Sequence, residues 1–348
     1  MTALTVPAHS RHDASLRPVP WRHMAWVTWR QHRIALAGVT VFLGALAVSL
    51  WRVGLGLHHA YAAATACRPA SSAACGVLVG RFNGMDGFLA NGSALQAVPA
   101  LIGAFVAAPV LARELETGTF RYTWTQGFSR WRWTLAKLVP LAVAVMISAG
   151  AFTVLLSWYY RPYFAAGNQT LSLSESSPLS VTLFDLRGFA FAAWALVAFS
   201  IGGLAGMLIR RVVPAIAATL AVYIGLAFVA GVYIRQHYLS PLVTGMQTVP
   251  GSAYVTSAWV TKDGRFAFAD QPPLRLLQQI CNAPPKGAHV DKTLTIADCL
   301  SRHGYTWWAS YQPASRFWSF QWIEGGWLFA MSALLIAATI WLVRRRAT

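Results

Sequence analysis

Six apolar runs, at residues 34–50, 87–112, 138–160, 188–209, 212–234 and 325–343, set the pattern of the chain, and none contains a charged residue. A helix needs about 20 apolar residues to cross a hydrocarbon core of roughly 30 Å. Inside lipid the backbone must satisfy its own polar groups, which only helices and closed barrels do. The runs are continuous rather than alternating with period two, so helices are expected and barrel strands are not. The pattern predicts an all-α polytopic membrane protein with six transmembrane helices. The polar stretches divide it into an N-terminal segment at 1–33, spans one to five at 34–234 with a connecting loop at 113–137, a long loop at 235–324, and span six with a basic tail at 325–348.

Composition sharpens this picture. Hydrophobic residues make up 56% and charged residues 11% of the 348, where a soluble domain carries about 25% charged residues. A large soluble catalytic domain does not fit. The net charge of +17 comes from cations clustered beside the spans, where they set orientation and meet anionic lipid. No basic stripe sits on a soluble fold, so nucleic acid is not an expected partner.

Six spans put both termini on one side. That side would carry fifteen cations in its short segments, against five in the short segments opposite. The positive-inside rule then makes both termini cytoplasmic, in a multi-pass protein of the cell membrane. Five arginines precede the first run, so residues 1–33 are not a cleaved signal peptide. Residues 21–33 read either as a basic, Trp-rich helix lying on the inner leaflet or as a plain flank. Twenty-four Arg against four Lys fits a high-GC bacterial genome, which discounts glycosylation at Asn91 and Asn168.

Cysteines agree with this orientation. Cys67 and Cys75 fall in the first external loop and Cys281 and Cys299 in the third. Even numbers confined to the oxidising face read as two local disulfides. A metal site lacks the compact His or Cys spacing it needs. The long external loop ends in a crowd of aromatic residues, from Tyr305 to Trp322. That crowd is either a belt leading into span six or part of a small folded cap stapled by Cys281–Cys299. Gly202 and Gly206 in span four form a G-x-x-x-G pair, which suits close packing within the chain or between copies.

Several chemistries are missing from the chain. It has no phosphate-binding G-x-x-x-x-G-K-[ST], no H-E-x-x-H and no G-x-S-x-G, so nothing marks it as an ATPase, a metalloprotease or a serine hydrolase. No Asp, Glu, Lys or Arg lies within a span, against the usual design of ion-coupled carriers. Asp86, Asp185 and Glu324 are expected at hydrated external span ends, and His58 and His59 as a solvated pair.

The informative segment follows span two: Glu116-Thr-Gly118-Thr119, seven residues, Gly127-Phe-Ser129-Arg130, six residues, then Lys137. It resembles the cytoplasmic loop of ABC-2-type transporter permeases, which commonly show Glu-x-Gly-Thr, Pro-x-Ser-Arg and Lys in this register. Gly127 stands where the family usually has Pro. Six spans, cytoplasmic termini and a long last external loop also fit. Residues 311–318, Tyr-Gln-Pro-Ala-Ser-Arg-Phe-Trp, look like a segment of a bacterial subset of these permeases.

The resemblance implies the permease subunit of an ATP-driven exporter, not itself an enzyme and holding no cofactor. ATP and Mg would be bound by a separate P-loop ATPase subunit, and a second permease copy or paralogue would complete the substrate path. The coupling loop would comprise Glu114, Glu116, Gly118, Thr119, Phe120, Arg121, Gly127, Ser129, Arg130 and Lys137. Early acids and late cations match the helix dipole, and Trp124, Trp131 and Trp133 suit the interface. Two rival functions are a permease-like signalling or immunity partner of an ATPase, and a membrane-embedded enzyme acting on lipid or polysaccharide.

Overall fold

The computed structural model describes residues 21–69, 72–84, 94–118, 130–166, 177–270, 272–273, 275–277 and 300–346. Among these, six helices are long and apolar enough to cross a membrane. The first, α1 (Trp21–Ala66), is one uninterrupted helix. Residues 21–33 therefore continue into the span rather than forming a separate element. Helix α2 (Ala73–Asn83) follows, and the Ser72 side chain caps it by accepting from Cys75 N at 3.2 Å. Cys67 and Cys75 are bonded to each other, as expected. Cys281 and Cys299 lie outside the described residues.

Span two is composite: α3 (Ala97–Ile102), a π-helical turn (Gly103–Ala107) and α4 (Ala108–Thr117). Span three is α5 (Arg130–Tyr159), followed by the short α6 (Arg161–Ala166). Span four is α7 (Ala190–Ile209) and span five is α8 (Val212–Val229), extended by a second π turn (Ala230–Ile234). Four strands intervene before span six: β1 (Leu242–Gly245), β2 (Tyr254–Lys262), β3 (Arg265–Ala269) and β4 (Tyr305–Gln312). Span six is α9 (Phe317–Arg346).

The core sits around α7, which packs against spans two, three, five and six. A helix apolar on every face belongs in the interior. Spans four and two are 72% and 67% buried, whereas spans one and five are 11% and 17% buried. The outer spans expose Ile34, Val41, Phe42, Val222, Ile224 and Phe228, a lipid-facing surface that water would not tolerate.

The two glycines of the G-x-x-x-G pair act within the chain. A Cβ on Gly202 would strike the Gly103 carbonyl oxygen, and one on Gly206 the Ala108 carbonyl oxygen. Gly103 in turn abuts the Ala198 carbonyl. Three glycines thus let the backbones of spans two and four touch.

The sheet corrects the all-α expectation. Its order is β1-β4-β2-β3, antiparallel throughout. Strand β2, Tyr-Val-Thr-Ser-Ala-Trp-Val-Thr-Lys, is rich in β-branched and aromatic residues, which favour pleated structure. Asp263 and Gly264, with φ of 49° and 79°, form the two-residue turn to β3, both in the left-handed region this turn needs. Trp307, Trp308 and Tyr311, read as part of either a belt or a small folded cap, belong to β4, an inner strand.

Candidate functional site

Two polar clusters lie at opposite ends of the bundle. The first surrounds the loop that joins spans two and three. Helix α4 ends at Gly118, whose φ of 71° is left-handed. Glycine takes that conformation without strain and so stops the helix cleanly. One turn earlier Glu114 pairs with Lys137 of α5, and the two side chains are 16% and 6% exposed. Lys137 Nζ also lies 4.6 Å from the Trp133 ring centroid, a cation–π contact. The pair clamps the two ends of the loop together.

Glu116 acts differently. Its Oε2 accepts the Val212 N–H at 3.1 Å. Val212 opens α8, and Arg211 before it supplies no side-chain cap. The first turn of a helix has unsatisfied N–H groups and a positive dipole end, so a carboxylate there stabilises it. Glu116 therefore ties the Glu-x-Gly-Thr segment to span five, while Glu114 just before it ties span two to span three. Arg130 begins α5; its side chain and Thr119, Phe120, Arg121, Gly127 and Ser129 lie outside the described residues. Lys137 is buried within α5, which corrects the expectation that no Asp, Glu, Lys or Arg lies inside a span.

The second cluster was not expected. Arg235, set by the π turn at the end of span five, donates from Nε to Glu324 Oε2 at 2.9 Å and from Nη2 to Glu324 Oε1 at 2.7 Å. This two-pronged geometry is the strong form of the pair. Arg235 Nη2 also donates to Asp185 Oδ1 at 2.5 Å. Trp194 Nε1 donates to Glu324 Oε1 at 2.9 Å and to Asp185 Oδ1 at 3.2 Å. Tyr238 OH donates to Glu324 Oε2 at 3.2 Å and accepts from Trp327 Nε1 at 2.8 Å. The guanidinium carbon lies 4.3 Å from the Phe184 ring centroid.

Arg235 is 2% exposed, Glu324 0% and Asp185 19%. This corrects the expectation that Asp185 and Glu324 are hydrated; Asp86 lies outside the described residues. Two carboxylates face one guanidinium, so the cluster carries one surplus negative charge when both ionise. Burial first, and then the Glu324 charge, push Asp185 up to about 7, against the opposing pull of Arg235. Burial likewise raises the Tyr238 hydroxyl and lowers Arg187, which lies over the Phe164 ring at 4.2 Å.

A sequence signal for this cluster existed. Asp185, Arg235 and Glu324 flank spans four, five and six at ends that an up-and-down topology places together. The 311–318 segment also gains a structural role, because it anchors the sheet. Gln312 Nε2 donates to the Leu239 carbonyl at 2.6 Å. Arg316 Nη1 donates to Gln312 Oε1 at 2.6 Å and to the Ser240 carbonyl at 2.7 Å. His58 is no solvated residue either: it stacks on Trp158 at 4.6 Å and donates to the Trp158 carbonyl. Among the described residues no group of three or more His, Cys, Asp or Glu could hold a metal ion.

No curated protein and no solved structure matches this chain. The sequence model of one family, described as ABC-2 membrane transporter related, matches residues 39–235. That match covers more than half of the chain, takes in spans one to five, and includes the Glu-x-Gly-Thr segment with its clamp. With six apolar helices, it identifies a multi-pass membrane protein of the permease type. The chain belongs to the ABC-2 membrane transporter related family.

Proposed function

We propose that this chain is the permease subunit of an ATP-driven exporter and is worked through the loop at 113–137 by a separate P-loop ATPase. A second permease copy or a paralogue completes the substrate path, and ATP and Mg stay on the ATPase subunits. Both termini and the loop at 113–137 face the cytoplasm. The bonded Cys67–Cys75 pair supports an oxidising location for the opposite end.

The observation that carries this reading is that two ties anchor the loop to three spans. Its ends are clamped by Glu114–Lys137, and its entry is tied to span five by Glu116. A push on such a loop moves spans two, three and five together, which is what conversion of ATPase closure into alternating access needs. A loop that only touched lipid would not require this bracing.

The test uses Arg130→Glu and Gly118→Val, with pull-down of a P-loop ATPase by the native chain as the reference. Arg130 offers a fork of donors suited to a carboxylate-lined cleft. Gly118→Val forces a β-branched residue into left-handed backbone. Expected are normal membrane insertion and either loss of the ATPase on pull-down or ATP hydrolysis no longer tied to transport. If both variants hold the ATPase and export like the native chain, the coupling assignment falls.

A further inference from the structure

A groove of about 400 Å³ opens between spans two and five, walled by α3, α8 and the segment before α7. Its wall is apolar and aromatic, with Leu101, Phe191, Trp194, Tyr223, Ile224 and Phe228. Its size is typical of a small-molecule site. Two wall residues bring acceptors. Gln96 donates its Nε2 hydrogens to the Val181 and Thr182 carbonyls at 2.7 and 3.0 Å, which leaves its amide oxygen as an acceptor. The other is Asp185.

Of the three charged residues in the buried cluster, only Asp185 reaches this wall. Arg235 is 2% exposed; it binds Glu324 through two parallel hydrogen bonds and Asp185 through one. The surplus negative charge of the cluster therefore falls on the one carboxylate that borders the groove. An anion entering would meet that carboxylate while the guanidinium stayed shielded behind it. A neutral ligand would bury the surplus charge without neutralising it. A cation would neutralise it, and the aromatic side chains of Trp194, Tyr223 and Phe228 line the same groove.

We propose that this groove binds a lipophilic monocation, its charge held against Asp185 and its apolar body lodged between spans two and five. The inference rests on the permease reading and names the class of solute that such a permease would take. Asp185 is faced by Arg235 from span five, Glu324 from span six, Trp194 from span four and Tyr223 from α8. It holds its proton up to about pH 7, so a cation binds better as pH rises through that value.

The probe is radiolabelled tetraphenylphosphonium, with triphenylphosphine oxide as a neutral competitor of similar aryl shape. Binding is measured to the full chain in phosphatidylcholine nanodiscs, with empty discs subtracted. Saturable phosphonium binding is expected, tightening about tenfold from about pH 6 to about pH 8. The neutral oxide should displace it only weakly. Asp185→Asn should weaken binding at least about tenfold and flatten its pH dependence. Ala97→Trp, which fills the exposed groove mouth without touching the charged cluster, should abolish it.

No saturable binding, displacement by the neutral oxide at concentrations equal to those of unlabelled phosphonium, or unchanged binding in both variants overturns the proposal. So does loss of phosphonium binding when phosphatidylethanolamine replaces phosphatidylcholine, because the occupant is then a lipid headgroup. A chain that holds its ATPase but binds no cation overturns this inference alone. A chain that binds the cation but never engages an ATPase overturns the transport reading instead.

Discussion

At the scale of single residues, Arg235 is the group whose loss should hurt most. It donates to Glu324 through two nitrogens and to Asp185 through one. Removing one partner of a buried ion pair strands the other, at a cost of about 3–5 kcal/mol. Arg235→Leu is therefore expected to lower the thermal unfolding midpoint sharply and reduce membrane abundance, as read by fluorescence-detected size exclusion. Asp185→Asn should be mild, since Glu324 keeps its partner. It should also remove a pH dependence. The folded chain holds the Asp185 proton up to about pH 7, whereas the unfolded chain releases it near 3.8. Stability contributed by that proton is full below the unfolded value, falls as pH rises between the two, and levels off above the higher one. The native midpoint should drop between about pH 5 and about pH 7.5, and the Asp185→Asn midpoint should drop less.

At the scale of elements, the contact between spans two and four decides whether the bundle closes. Gly103, Gly202 and Gly206 each face backbone atoms of the other span. Gly202→Leu should force these helices apart and lose folded protein, because overpacking costs about 1–3 kcal/mol or more where backbone must move. Gly225→Ala in span five, with open space at its Cβ, should be tolerated or slightly stabilising. A second expectation concerns the cap on span five. Glu116→Ala removes the acceptor for Val212 N–H and should lower stability by about 1 kcal/mol, while Glu116→Gln keeps an acceptor and should lose less. Thermal melts in detergent separate these variants.

How legible these elements are depends on whether their signal is local. Apolar runs mark spans four and five within a few residues, since lipid demands continuous hydrophobicity, whereas the helix of span two starts ten residues after its run and that of span six eight residues before. Span one reaches Ala66, sixteen residues beyond the run that ends at Leu50. Arg52, His58 and His59 interrupt the pattern without interrupting the helix. The β2–β3 hairpin was readable from Asp263-Gly264 between β-branched and aromatic residues, but β4 resembles an interfacial aromatic belt. The Asp185–Arg235–Glu324 cluster joins residues up to 139 positions apart, and no local pattern marks such a meeting. Of the coupling segment, the motif was legible, whereas the tie from Glu116 to the start of span five depends on the fold.

At the scale of the whole molecule, a well-buried spine of spans two and four carries poorly buried spans one and five on its outside. Membership of the ABC-2 membrane transporter related family suggests a permease role for this bundle, and the proposal adds that the loop at 113–137 receives work. The central claim is that residues 113–137 meet an ATPase on the cytoplasmic face. Its most direct test is site-specific photocrosslinking in living cells, with a benzoylphenylalanine placed at Ser129 or at Ser72 of the opposite end. The account predicts a crosslink from Ser129 to a P-loop ATPase and none from Ser72. A crosslink from Ser72 to that ATPase, or only lipid adducts from Ser129 while the ATPase is present, would contradict it.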